Sequence, residues 1–235
     1  MLVIVNSTLK LKFITKTHFR YITFLFLFLR YVYTDAQDLP TSQSYLSFLT
    51  LNPANVTFLS QPSLILNYRN QWPGLDAPYK NYSISYNHLL PSLNSGIGVN
   101  LSNDTQGNGI INELNMDVIF GYHVKVSSYS SFNFGFVTTF SQRNYQTGGL
   151  TFEDPTEFIN GLNKSYLDFG LGFRGRYRYI DAGFSAKHIT NPIYISGAGT
   201  GFKKDMIINI HTGGHIPIGY NTVYQPDLFI SPAFS

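Results

Sequence analysis

The chain has 235 residues, of which 43% are hydrophobic, 16% aromatic and only 12% charged. Soluble domains carry about 25% charged residues, so half that share argues against an ordinary water-facing surface. The formal net charge of +3 comes from one end: five of the 16 basic residues and one of the 13 acidic ones fall in positions 1–36, leaving 11 against 12. That excludes a basic nucleic-acid surface, and the absence of cysteine excludes disulfides, thiolate metal sites and a cysteine nucleophile.

Residues 1–36 read as a signal peptide. Lys10, Lys12, Lys16 and Arg20 supply a positive start, and Tyr21 to Leu29 form a nine-residue apolar run closed by Arg30. A spanning helix needs about 20 apolar residues, so the run is too short to be an anchor. Thr34-Asp35-Ala36 puts small residues where a signal peptidase wants them, with cleavage between Ala36 and Gln37. Residues 37–62 are polar and weakly periodic, and read as an extended periplasmic or plug-like lead-in. Within them Leu51-Asn52-Pro53-Ala54 marks a turn, because Asn-Pro favours turn initiation.

From residue 63 to 235 the period is two. Leu114, Met116, Val118, Phe120 and Tyr122 share one face of a strand, with Asn115, Asp117, Gly121 and His123 on the other. Phe132, Phe134, Phe136 and Phe140 oppose Asn133, Gly135, Thr139 and Ser141, and Leu167, Phe169, Leu171 and Phe173 oppose Asp168, Gly170, Gly172 and Arg174. Alternating side chains point to opposite faces of a strand, so each segment has one apolar face and one polar or glycine face. The expected strands are 63–70, 79–88, 95–103, 110–125, 131–143, 165–175, 178–188, 206–216 and 223–231.

A soluble sandwich turns the apolar face inward; a transmembrane barrel turns it outward to lipid. Many of these strands approach or exceed the 9–11 residues that cross a bilayer at a tilt. Their polar face is small and carries few charges, as a lumen would. The odd-numbered connections include the two long ones, 144–164 and 189–205, whereas every even-numbered one is short; outer-membrane barrels sort their loops this way. The expected fold is an all-β, antiparallel, up-and-down transmembrane β-barrel. About nine strands do not close in the even-numbered way of such barrels, so the chain is expected to be truncated at its C-terminal end.

Candidate chemistry is sparse. Gly170-Leu171-Gly172-Phe173-Arg174-Gly175 matches a dinucleotide fingerprint in letters only, since it lies inside a strand and opens no helix. His211 and His215 share a strand face about 13 Å apart, too far for one metal ion. Asp168 and Asp181, on neighbouring strands near Arg174, Arg176, Arg178 and Lys187, form either an acid pair for catalysis or, as is expected here, a charged lumen network. Asn103-Asp104-Thr105-Gln106-Gly107-Asn108-Gly109 is a hairpin loop without the acidic density of a calcium site. No catalytic, cofactor-binding or metal-binding residue is assigned, and no cofactor is expected.

The lone tryptophan lies in Leu66-Asn67-Tyr68-Arg69-Asn70-Gln71-Trp72-Pro73-Gly74. This stretch, preceded by Leu51-Asn52-Pro53-Ala54, resembles the N-terminal signature of the PorP/SprF family of type IX secretion and gliding-motility proteins of Bacteroidetes. Gly170-Leu171-Gly172-Phe173, Ala182 to Pro192 and His211 to Pro217 are similar to later segments of that family. The resemblance covers about residues 37–235. It implies a non-enzymatic barrel in the bacterial outer membrane that supports export or surface attachment of cargo or adhesins. It further implies contact with other type IX secretion components, with C-terminal domains of secreted cargo or adhesins and with outer-membrane lipid, and none with nucleic acid. A passive porin-like channel and a secreted all-β adhesin or structural module are the alternatives. Arg69, Asn70, Gln71, Trp72, Pro73 and Gly74 are the one candidate motif, with Trp72 suited to an interfacial aromatic belt and Arg69, Asn70 and Gln71 able to donate hydrogen bonds to a partner or plug.

Overall fold

The computed structural model describes residues 48–58, 61–146, 163–195, 201–214, 216–217, 223–224, 227–230 and 233–234, all within one unit, Thr34–Ser235. Its strands are β1 (Ser63–Gln71), β2 (Tyr79–Leu90), β3 (Ser95–Gln106), β4 (Ile111–Lys125), β5 (Ser130–Tyr145), β6 (Asn163–Tyr177), β7 (Ile180–Lys187), β8 (Ile193–Ile195), β9 (Gly201–Lys203), β10 (Met206–Gly214), β11 (Ile216–Pro217), β12 (Val223–Tyr224), β13 (Asp227–Ile230) and β14 (Ala233–Phe234). The main sheet runs β1-β2-β3-β4-β5-β6-β7-β10-β13, with β14 also on β10. Every pairing in it is antiparallel. The fold is thus all-β and up-and-down, as the alternation requires. Among the described residues no helix is long and apolar enough to cross a membrane, which says nothing of crossing by strands.

Burial is inverted relative to a soluble protein. Leu64, Leu66, Tyr68, Val118, Phe120, Phe134, Phe136, Leu171 and Phe184 are exposed on the outer face. Asn87, Asn100, Asn133, Ser141, Asp168, Arg174, Asp181, Ser185 and Asn209 are buried on the inner one. This is the arrangement of a transmembrane barrel, whose apolar face is turned outward. β4, β5 and β6 have 15, 16 and 15 residues, so they exceed the ~9–11 needed to span the hydrocarbon.

The end of the chain departs from the expected single strand over 223–231. β12 pairs with β11 in a separate ribbon, while β13 pairs with β10. Pro226 lies between the two pieces, and a proline cannot donate to a ladder. The expected 17-residue connection after β7 contains a small antiparallel hairpin, β8 with β9.

The largest departure precedes the sheet. Residues 48–58 are not extended: they form a helical turn, α1 (Phe48–Leu51), and a 3-10 helix, Pro53–Thr57. Asn52 caps that helix, accepting from the Ala54 N–H at 2.9 Å, with Pro53 in the first turn. Proline suits the first helical position because its missing donor has no partner there anyway. Asn52, Pro53, Ala54, Asn55, Val56 and Thr57 are all buried, inside the sheet.

Their seat is a row of glycines made by strand register. Gly96 pairs with Gly121, Gly121 with Gly135, and Gly135 with Gly172; the row continues through Ser185 to Asn209. A Cβ at Gly172 would stand 2.0 Å from Asn52 Oδ1, at Gly135 2.2 Å from the Ala54 nitrogen, at Gly121 2.4 Å from Val56 Cγ1 and at Gly96 2.7 Å from the Val56 oxygen. The segment also reaches β10, where Asn209 donates to the Leu51 carbonyl at 3.2 Å. β3 and β10 are five strand spacings apart, about 24 Å across a flat sheet. One short helical turn touches both, so the sheet must curl around it.

Gly135→Ala should lower the urea midpoint of the detergent-solubilised protein by the equivalent of about 1–3 kcal/mol, because the new methyl meets backbone atoms of Pro53 and Ala54 that cannot swing away. Gly74→Ala, with open space around it, should leave the midpoint unchanged.

Candidate functional site

Charge, burial and shape converge in the interior around the buried turn. Asn52 Nδ2 donates to the carbonyls of Phe173 on β6 and Phe184 on β7, at 3.1 and 3.2 Å. Ser185 Oγ donates to the Leu51 carbonyl at 2.6 Å. Thr57 Oγ1 donates to Asn133 Oδ1 at 3.0 Å, and the same oxygen lies 2.7 Å from His123 Nδ1. A small apolar cluster, Leu49 and Val56 against Ile119 and Val137, fills the space between. Buried backbone polar groups need partners, and the strands' inner faces supply them.

Arg174 is the centre of the charged part. Its Nε and Nη2 donate to Asp181 Oδ2 at 3.0 and 2.5 Å, and Nη1 donates to Asn55 Oδ1 at 2.8 Å. Its guanidinium lies 3.5 Å from the centroid of the Phe58 ring, and that of Arg176 lies 4.0 Å from it. Arginine favours such faces because its flat cation is weakly hydrated and meets the negative face of the ring.

Asp168 belongs to a different group. It lies 2.5 Å from His188 Nδ1 and accepts from Thr190 Oγ1 at 2.7 Å. Six residues separate it from Arg174 on the same strand, about 20 Å along β6. Asp168 and Asp181 therefore do not form an acid pair; each carboxylate has its own donors in an inner polar network. A third cluster, further towards the long loops, sets Glu113 against Arg143 at 3.4 Å and Lys204 at 3.3 Å, with Tyr166 donating to it at 3.1 Å. In a fourth, Tyr79 and Asn81 both donate to Asp104.

The tryptophan motif divides between the two faces. Arg69 and Gln71 lie on the inner side of β1, where Arg69 Nη2 donates to Gln71 Oε1 at 2.8 Å and the guanidinium faces the Tyr79 ring at 5.9 Å. Asn70 is exposed on the opposite side. Trp72 stands just past the strand with φ of 57° and is 59% exposed. Its carbonyl accepts from the Leu75 N–H at 3.0 Å, closing the Pro73-Gly74 turn. Gly170 and Gly172 lie on the inner face of β6, and no helix follows them. His211 sits on β10, while His215, Ala36 and Gln37 lie outside the described residues.

Sequence reading identified the Asn52-Pro53 turn but not its place in the interior. It also passed over Ile119 and Val137, inward residues that pack on Val56. Their signal was present as breaks in alternation, Val118-Ile119-Phe120 and Phe136-Val137, where apolar residues occupy both faces.

Removing Arg174 strands a buried carboxylate on Asp181. Arg174→Met should cost about 3–5 kcal/mol, measured by chemical unfolding in micelles. Arg174→Met combined with Asp181→Leu should recover most of it; a double variant as unstable as the single one would show that the ion pair is not the cause.

Among curated proteins none matches the chain. A family model, described as type IX secretion system membrane protein PorP/SprF, matches residues 34–234. That match spans nearly all of the curled, polar-cored sheet and the buried turn that fills it. The chain belongs to the PorP/SprF family of type IX secretion system membrane proteins.

Proposed function

We propose that the protein is a non-enzymatic outer-membrane β-barrel of the type IX secretion and gliding machinery. It acts as a scaffold that supports export or surface attachment of cargo or adhesins. The observation that carries this reading is the filled interior. Asn52 to Thr57 are buried against β3, β4, β5 and β6, on a glycine row fitted to them. A passive channel needs an open lumen, and a soluble adhesin has no use for an exterior of exposed Phe, Leu and Tyr. Family membership supplies the secretion context. The buried carboxylates hold structural partners, Arg174 for Asp181 and His188 for Asp168, which suits a scaffold better than a catalyst.

In this reading residues 1–36 deliver the chain and are removed between Ala36 and Gln37. Residues 37–62 then form the lead-in, whose Asn52 to Thr57 turn is buried inside the sheet, and residues 63–235 form the barrel domain. The barrel contacts outer-membrane lipid through its apolar face, other secretion components, and the C-terminal domains of cargo or adhesins. Arg69, Asn70, Gln71, Trp72, Pro73 and Gly74 mark its first outward hairpin. The exposed ring of Trp72 sits in the interfacial belt, where an amphipathic aromatic anchors a barrel.

Three measurements test this. Purified protein in planar bilayers should pass no steady current, and a stable open conductance would favour a porin. Affinity capture from cells of the source bacterium should recover type IX secretion components, and capture that yields none removes the secretion role. Trp72→Ala should reduce the amount of barrel in the outer membrane without changing secretion per barrel. Arg69→Ala should alter secretion only if that motif also contacts a partner.

A further inference from the structure

The two adjacent short turns, 126–129 between β4 and β5 and 178–179 between β6 and β7, border a cavity of about 690 Å³. Its charge is one-sided. Lys125, Arg176 and Arg178 line it with His123, and among the described residues no carboxylate does. Among the described residues no Asp or Glu pairs with Lys125, Arg176 or Arg178. The acid that shares their row, Asp181, pairs in register with Arg176 but is held by Arg174.

Register sets the spacing. Lys125 pairs with Ser131, and Ser131 with Arg176. A cation, a hydroxyl and a second cation therefore stand side by side on three strands, about 10 Å from end to end. All three face inward, on the same side as His123, Asn133 and Arg174. The Arg178 N–H donates to the Tyr129 carbonyl at 2.6 Å and ties one turn to the other. Ser127 Oγ in turn accepts from the Tyr129 and Ser130 N–H groups at 3.1 Å. Tyr129 offers an exposed ring beside the Arg178 guanidinium, 5.7 Å away.

We propose that this mouth is a docking site for an acidic, extended peptide segment of a partner protein. One carboxylate bridges Lys125 and Arg176 over the Ser131 hydroxyl, and a neighbouring one meets Arg178. Bidentate, charge-assisted contact is what arginine does best with a carboxylate. A phospholipid headgroup would lie against the outer face, whereas Lys125 and Arg176 stand on the inner one. A single inorganic anion would fill little of a cavity within the usual 300–1,000 Å³ range of ligand sites. The site stands independently of the export role: a failed capture of secretion components would leave it untouched.

The test uses the purified full-length protein in detergent micelles and a dye-labelled peptide, Gly-Asp-Glu-Asp-Glu-Gly, followed by fluorescence anisotropy. Binding should fall steeply with added salt, and the amide control Gly-Asn-Gln-Asn-Gln-Gly should not bind. Lys125→Gln should weaken binding about tenfold, as should Arg178→Gln. Both side chains lie at the exposed rim, outside the packing around the buried turn, so the fold should survive each change, checked by an unaltered unfolding midpoint. Peptide affinity unchanged in both variants would overturn the proposal. So would displacement of the peptide by equimolar inorganic phosphate, which would mark a small-anion site, or binding only when phosphatidylglycerol is present, which would mark a lipid site.

Discussion

Close approach of two backbones is the constraint on which the rest of this structure depends. The turn from Asn52 to Thr57 lies so near the inner wall that a side chain at Gly96, Gly121, Gly135 or Gly172 would overlap it. Only glycine permits such contact, and it must occur at one register position on four successive strands. A one-residue slip of β4, β5 or β6 would move its glycine to the outer face and push a phenylalanine, leucine or tyrosine inward. The buried turn therefore selects the pairing as well as filling the space. It also compels the curl, since it bonds to strands that a flat sheet would keep far apart.

Around that contact the interior is polar, and its polarity follows from what surrounds it. With an apolar outer face, hydrogen-bonding groups must face inward and find one another. Arg174 shows how completely this is done, with Asp181 and Asn55 on its nitrogens and an aromatic ring on its face. Asn52 does the same for the backbone, capping its own helix through Oδ1 and bridging two strands through Nδ2. An isolated charge here would be costly, and the pairs instead join the turn to its wall. At the short-turn mouth the pairing stops: among the described residues no carboxylate lines the cavity beside Lys125, Arg176 and Arg178. The contrast between the paired charges of the interior and a one-signed mouth sets that rim apart from the network behind it.

The exterior is simpler. Rings pack along the outer face in rows, Phe136 on Phe169 at 5.8 Å and Phe173 against Phe132, Phe134 and Phe184 at 5.4–5.9 Å. Such pairs add modestly to apolar burial. They give the sheet a continuous apolar outer surface.

What the sequence determined by itself was the periodic part. Alternation is local, because each side chain's face depends only on its place in the strand. Strands β1 to β7 and β10, the outward set of Phe132 to Phe140 and the inward set around Asp117 could all be read from neighbours two residues away. The family was legible too, through the run from Arg69 to Gly74. What only the tertiary structure decided was every relation across strands. The glycines at 96, 121, 135 and 172 look like separate small residues until register aligns them. Asp168 and Asp181 look like a pair until about 20 Å of strand separates their partners. Asn52 and Pro53 look like a surface turn until six strands close over them. Such relations join residues up to 158 positions apart, and no local pattern encodes distance of that kind.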